Sequence, residues 1–146
     1  MSVIIGIDAE WQTSAEGDQN QVLSYQWFGL DGTTEWSGVH YPEDGKRLAI
    51  SEWLSLALRD GYKNRAWPTT LVLASHFTTA ELSVIKNVHT LKTRLDLLQG
   101  SNYASARQPL ITNCYDNSRN GHPVTVHLLD TMLLALADGR SLAALG

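Results

Sequence analysis

A chain of 146 residues is long enough for one domain with its own hydrophobic core and too short for two. With 43% hydrophobic and 18% charged residues it has a globular composition, which excludes a disordered or fibrous chain, and no apolar run approaches the roughly 20 residues needed to span a bilayer. The net charge is −4, and Cys114 is the single cysteine, which excludes an internal disulfide framework and a cysteine-based zinc site and fits a reducing, cytoplasmic setting.

The opening Met1-Ser2-Val3-Ile4-Ile5 has no basic region and no cleavage signature, so it reads as structure and not as a signal peptide. Residues 3–10 are apolar and β-branched at their start and predict a buried central strand. A loop rich in Gly, Asp, Asn and Gln follows over residues 12–21. Residues 22–28 predict a second strand, Asp31-Gly32 a hairpin turn, and residues 33–41 a returning third strand. Three antiparallel strands at the start argue against a doubly wound parallel fold, which would place a helix directly after the first strand.

Residues 48–59 carry Leu48, Ala49, Trp53, Leu56 and Ala57 at helical spacing, with Asp60-Gly61 as the stop. Residues 70–74 predict a short buried strand, and residues 79–91 a second helix with Leu82, Ile85 and Val88 or His89 on one face. Residues 99–122 are the least regular stretch, although 110–115 could pair with a confident strand over 124–129. Ser141 looks like an N-cap for a helix starting at Leu142, and Gly146 falls within its first two turns. The expectation is a single domain over residues 1–146, truncated at its C-terminus.

The chemistry starts at Asp8 and Glu10. Residues i and i+2 of a strand share a face, so the two carboxylates project side by side at the strand's carboxyl end. Adjacent carboxylates repel, and burying them needs a cation or a basic group. Hard oxygen ligands of this kind suit Mg²⁺ or Mn²⁺, and phosphodiester cleavage by a two-metal site uses carboxylates that bridge the ions. The plainer reading is two surface acids at a solvated strand end. Charge is also uneven along the chain: residues 1–60 carry ten acids and three bases, residues 61–146 five acids and eight bases. That suits a metal nuclease and chance scatter equally well.

At this point the motifs resemble a family. Ile4-Ile5-Gly6-Ile7-Asp8-Ala9-Glu10-Trp11 is similar to the first motif of the DnaQ-like (DEDD) 3′–5′ exonucleases of the ribonuclease H-like superfamily, which include the proofreading domains of family B-type polymerases. Asn20-Gln21-Val22-Leu23-Ser24-Tyr25-Gln26 resembles the second strand that commonly follows, and residues 71–82 the second motif. Residues 127–135 and 141–146 look like the family's Asp-Thr strand and the helix after it. The order of the matches along the chain is more specific than any one of them.

The resemblance implies an α/β, ribonuclease H-like fold whose mixed sheet opens with a three-stranded antiparallel meander and carries helices on both faces. It implies that Asp8, Glu10 and Glu81 are catalytic metal ligands for Mg²⁺ or Mn²⁺, with Trp11 and His76 contacting the substrate. The activity implied is 3′–5′ exonucleolytic hydrolysis of single-stranded DNA or RNA ends, as part of a longer protein with a polymerase or other domains. There are two departures from the family pattern. Glu81 stands where the family has Asp, and Thr78-Thr79-Ala80-Glu81 also reads as a capping box in which Glu81 bonds the helix's own first amides. The third motif, a Tyr or His followed four residues later by the last Asp, is absent from this chain, and Asp130 is not that Asp by position. The alternative is therefore a catalytically inactive ribonuclease H-like module that binds nucleic acid or a partner protein.

Other chemistries find less support. The five histidines have no zinc-ligand spacing, and neither a G-x-S-x-G elbow nor a phosphate-cradling glycine loop is present. Arg107 and Arg119 could touch phosphate, though solvated loop arginines are the commoner case.

Overall fold

The computed structural model describes residues 3–13, 20–75, 84–86, 95–99, 102–106 and 109–130. In chain order the elements are β1 (Val3–Thr13), β2 (Asn20–Asp31), β3 (Thr34–His40), β4 (Leu48–Ala49), α1 (Ile50–Gly61), β5 (Thr70–Ser75), β6 (Ile85–Lys86), β7 (Leu95–Gln99), β8 (Asn102–Ala106), β9 (Leu110–Tyr115) and β10 (Gly121–Asp130). Six strands form one mixed sheet in the order β3-β2-β1-β5-β10-β9. The expected meander is present, because β1 runs antiparallel to β2 and β2 antiparallel to β3. Beyond it the sheet turns parallel, β1 to β5 and β5 to β10, and closes with antiparallel β9.

Alternation along the strands separates two faces. On one lie Val3, Ile5, Ile7 and Ala9 of β1, Leu71 and Leu73 of β5, and Val124, Val126 and Leu128 of β10, all buried. Helix α1 covers this face with Trp53, Leu54, Ala57 and Leu58, and the core closes between them. The helix begins where Glu52 reaches back to accept the Ala49 N–H at 2.9 Å, half of a capping box, since Ala49 has no acceptor to return. Ser55, buried, donates to the Ser51 carbonyl and accepts the Tyr115 N–H, tying the helix to β9.

Three tryptophans, Trp27, Trp36 and Trp53, fasten α1 to the meander, each with its indole N–H satisfied, as burial requires. Trp53 donates to the Gln26 carbonyl, Trp36 to the Ala57 carbonyl and Trp27 to the Asp60 carboxylate. Two glycines make room for them. Gly38 sits opposite Trp27 and Gly29 opposite Trp36 in the β2–β3 pairing, so each indole lies flat over the glycine across from it. A Cβ at Gly29 would fall inside the Trp36 ring.

Two segments differ from the sequence expectation. Residues 79–91 were expected as a helix, but Val84 is in a turn and Ile85–Lys86 pairs in parallel with Leu48–Ala49; the rest of that segment lies outside the described residues. The reason is tertiary. The fully buried Tyr25 hydroxyl donates to the Val84 carbonyl at 2.6 Å and accepts the Leu48 N–H at 2.9 Å, which fixes both short strands beside β2. Two β-branched residues, Val84 and Ile85, are buried there and suit a strand. Within residues 99–122, Asn102–Ala106 is a strand paired with Leu95–Gln99, where the sequence suggested irregularity. Helices on both faces are not seen: α1, on one face, is the one α-helix among the described residues. None of the helices described is long and apolar enough to cross a membrane.

Burial pushes the Tyr25 phenol above its ordinary pKa, as expected of a hydroxyl sealed between two backbone partners. Tyr25→Phe is expected to destabilise the fold by about 1–3 kcal/mol in urea denaturation, because a carbonyl and an N–H lose their partner while the ring packing stays. Gly29→Ala is expected to cost a similar amount, about 1–3 kcal/mol, by driving a methyl into the Trp36 indole, whereas Ala at an exposed strand position such as Ser37 should change stability far less.

Candidate metal and nucleic-acid site

The alternation that buries Ile5, Ile7 and Ala9 sends Asp8 and Glu10 to the opposite face, where both are exposed. Their Cβ atoms are about 7 Å apart, two residue steps of an extended strand. Asp8 stands opposite Gln26 and Glu10 opposite Ser24 on β2. Those two neutral partners bond one another, Gln26 Nε2 to Ser24 Oγ, so neither supplies a charge to the acids. Asp8 Oδ1 accepts the N–H of its neighbour Ala9 at 2.9 Å, which leaves Oδ2 uncommitted among the described residues. A register shift falls between Glu10 and Trp11, where the β2 partner jumps from Ser24 to Val22. Such a bulge twists the strand locally and re-aims the residues beside it.

Among the described residues the surroundings of the pair are largely apolar. On the same face lie Ile4, Phe28 and Val39, all substantially exposed, together with Leu30, Val72, Ala74, His127 and Leu129. Glu35 adds a further acid toward β3, and among the described strand residues of this face there is no Lys or Arg. Among the described residues of this face the acids therefore have no Lys or Arg to compensate them. Two hard oxygen donors in that setting fit a divalent cation as part of a site. Among the described residues there is no group of three metal-ligating side chains, so the pair does not make a full coordination shell with them.

The other expected site residues stand differently. Trp11 is partly buried and packs against the hydrophobic core, on the face that carries Ala9 and not beside the carboxylates. His76 and Glu81 lie outside the described residues, so Glu81 as ligand or as helix cap, and His76 as a substrate contact, are untouched by this geometry. Asp130 pairs with Ser75 in the β10–β5 ladder. Arg119 is exposed in the β9–β10 turn with a positive φ of 64°, and Arg107 lies outside the described residues. Cys114 is buried, and burial pushes its thiol up to about 11, which leaves it protonated and unsuited to nucleophilic chemistry.

A polar cluster that the sequence reading missed lies at the other end of the sheet. Asp116 organises the β9–β10 turn: its Oδ1 accepts the N–H groups of Ser118 and Asn120, and its Oδ2 meets His122 Nε2 at 2.9 Å. The His122 ring stacks on Trp67, with centroids 4.5 Å apart and planes 20° from parallel. The usable signal was Asp116 followed by turn residues Asn117, Ser118 and Asn120, since Asp side chains bond the amides two and four residues on. Compared with known proteins, the chain matches no family model, no curated protein and no solved structure.

Two outcomes are expected from these geometries. Because Asp8 and Glu10 are exposed and unpaired by any described cation, Asp8→Ala and Glu10→Ala should shift stability by no more than about 0.5 kcal/mol, so that any functional loss is separable from unfolding. The Asp116 carboxyl is held below its ordinary value of 3.8 by the His122 ring first, then by the turn's amides. A depressed carboxylate stabilises the fold above its unfolded pKa, and that contribution disappears as the pH falls through the folded pKa. Carboxyl ¹³C titration should therefore place Asp116 below 3.8 in the wild type, and His122→Ala should move it upward. A midpoint at or above the ordinary value would contradict the turn geometry.

Proposed function

We propose that this chain is a ribonuclease H-like domain with metal-dependent 3′–5′ exonuclease activity on single-stranded nucleic-acid ends. The observation that carries the reading is the placing of Asp8 and Glu10 together on the exposed face of β1, the strand where the antiparallel meander meets the parallel part of the sheet. The mixed sheet supports it, since it opens with the meander that the family resemblance implies.

In this reading Asp8 and Glu10 hold Mg²⁺ or Mn²⁺, with Glu81 as a further ligand. Bound there, the cations would supply charge stabilisation for hydrolysis of the terminal phosphodiester. The protein's own contribution is to fix both carboxylates on a strand paired with β2 at Asp8 and Glu10 and anchored to β5 just before them, over Ile4–Gly6, so that their spacing is set by extended backbone. Among the described strand residues of this face there is no Lys or Arg, so in this reading the metal would supply positive charge for a substrate phosphate there. His76 would contact the substrate. Trp11, placed on the core side of β1, would support the bulge at Glu10 and leave base contact to other groups. The DNA or RNA ends, and the other domains of a longer parent chain, are the partners this reading implies.

End-labelled single-stranded DNA and RNA incubated with the protein and Mg²⁺ or Mn²⁺ should be shortened one nucleotide at a time from the 3′ end. Asp8→Ala and Glu10→Ala should each slow this by about a hundredfold or more, with EDTA abolishing it. Mn²⁺ should also raise the melting temperature of the wild type and not of the double variant, as ligand binding to the native state requires. Absence of cleavage with retained, metal-independent oligonucleotide binding would favour the inactive binding module instead. Cleavage that survives both substitutions would remove Asp8 and Glu10 from the mechanism.

A further inference from the structure

The end of α1, the connection into β5 and the β9–β10 turn enclose a cleft of about 340 Å³. That is at the small end of ligand pockets, which run from roughly 300 to 1,000 Å³. Arg59, Lys63, Arg65, Trp67, Asp116 and His122 are among the residues that line it. The cleft lies at the opposite end of the parallel strands from Asp8 and Glu10. By the β1–β5 register, Glu10 stands eight residue steps beyond the level of Thr70, about 26 Å along the strands.

Three cations and one carboxylate line the cleft, and a second carboxylate, Asp31, pairs with Arg65 from beside it, which leaves the bases in excess by one. Its one carboxylate, Asp116, is already committed on both oxygens, to two backbone amides and to His122. Arg59 spends its Nε on the Tyr115 carbonyl at 2.6 Å, which orients the guanidinium and leaves its two terminal NH₂ groups without partners among the described residues. Arg65 is held by the Gly61 carbonyl through Nε and Nη2, by Asp31 through Nη1, and by stacking on Tyr62 at 4.2 Å. Those contacts fix the plane of its guanidinium and leave one N–H on each terminal nitrogen. Lys63 is exposed, and among the described residues no carboxylate lies within ion-pair distance of it. His122 has Nε2 tied to Asp116, so its Nδ1 is the ring atom left to a ligand.

Two oriented guanidinium forks and an ammonium converge on a small concave space whose own acid is neutralised. Charges of one sign gathered in this way repel, and a multiply charged anion offsets that repulsion better than a single carboxylate does. Guanidinium forks match the oxygens of phosphate in particular. We infer that this cleft is a phosphate-binding site, taking the phosphate group of a small phosphomonoester or of a nucleic-acid backbone. It uses none of the residues assigned to the exonuclease reading, so it stands or falls separately from that reading.

The test is an NMR titration of the full 146-residue protein with inorganic phosphate, with a nucleoside 5′-monophosphate and with a single-stranded oligothymidylate. Each is followed at the Trp67 indole N–H and the His122 ring. Inorganic phosphate is expected to produce saturable shifts with a Kd of about 1 mM at low salt. Lys63→Glu and Arg59→Gln are each expected to weaken binding about tenfold, and added NaCl to weaken it in the wild type. Lys86→Glu, an exposed lysine on β6 away from the cleft, should leave the affinity unchanged. Displacement of phosphate by the oligonucleotide assigns the site to a nucleic-acid backbone; displacement by the monophosphate alone assigns it to a small phosphomonoester. Lys63 is exposed, so Lys63→Glu should fold like the wild type, which thermal melting checks. No saturable shift at Trp67 and His122 with any of the three probes would overturn the assignment. So would an affinity for phosphate that Lys63→Glu and Arg59→Gln leave unchanged in folded protein.

Discussion

β1 is hydrogen-bonded antiparallel to β2 along its length and parallel to β5 over Ile4–Gly6, and its side chains therefore have only two directions to take. Ile5 and Ile7 must enter the core under α1. A one-residue slip would bury Asp8 and Glu10 and expose the isoleucines, at a cost that unpaired carboxylates in an apolar core make prohibitive. Holding this strand in register consequently holds the two acids on the far face. The spacing of the pair and its exposure both depend on that one constraint.

The register is itself secured from a distance. Tyr25, opposite Ala9 on β2, packs edge-on against Trp53 at 4.7 Å and uses its hydroxyl to hold Leu48 and Val84. Trp27 and Trp36 cross over the glycines of the neighbouring strand and bond the last turn of α1. Flat aromatic rings on glycine, each with its N–H satisfied, let the helix come close to the meander without leaving a buried donor unpaired. Below them, Tyr62 donates to Asp31, and Arg65 stacks on Tyr62, so the rim of the basic cleft is an extension of the same aromatic packing. The two ends of the sheet thus gather different charged groups for different reasons. The acids are left over from strand alternation, and the bases are gathered by the chain leaving the helix.

Much of the architecture was legible because it rests on local periodicity. The β-branched run at Val3–Ile7, the Asp31-Gly32 turn, and the strands near residues 70–75, 110–115 and 124–129 lie where period-two patterning and turn chemistry put them. Helix α1 was also legible, although its first two expected residues, Leu48 and Ala49, form a strand instead. Ile85–Lys86 was not legible, because its apolar spacing suits a helix equally well and only the Tyr25 hydroxyl and the edge of β4 decide against one. Trp11 illustrates the same limit at the site. Its neighbour in sequence is Glu10, yet its neighbour in space is the core.

The sequence by itself determined that Asp8 and Glu10 share one face of a strand, since a two-residue period needs nothing but extended backbone. It also determined the meander, through the hairpin turn and the alternation on either side of it. Tertiary structure alone decided what surrounds the pair, which side of β1 Trp11 takes, and that Arg59, Lys63 and Arg65 meet Trp67, Asp116 and His122 in one cleft. Those last residues are separated by up to sixty-three positions in the chain, between Arg59 and His122. No local pattern encodes such a meeting, because it follows from the pairing of β5 with β10 and the packing of α1 beside β9.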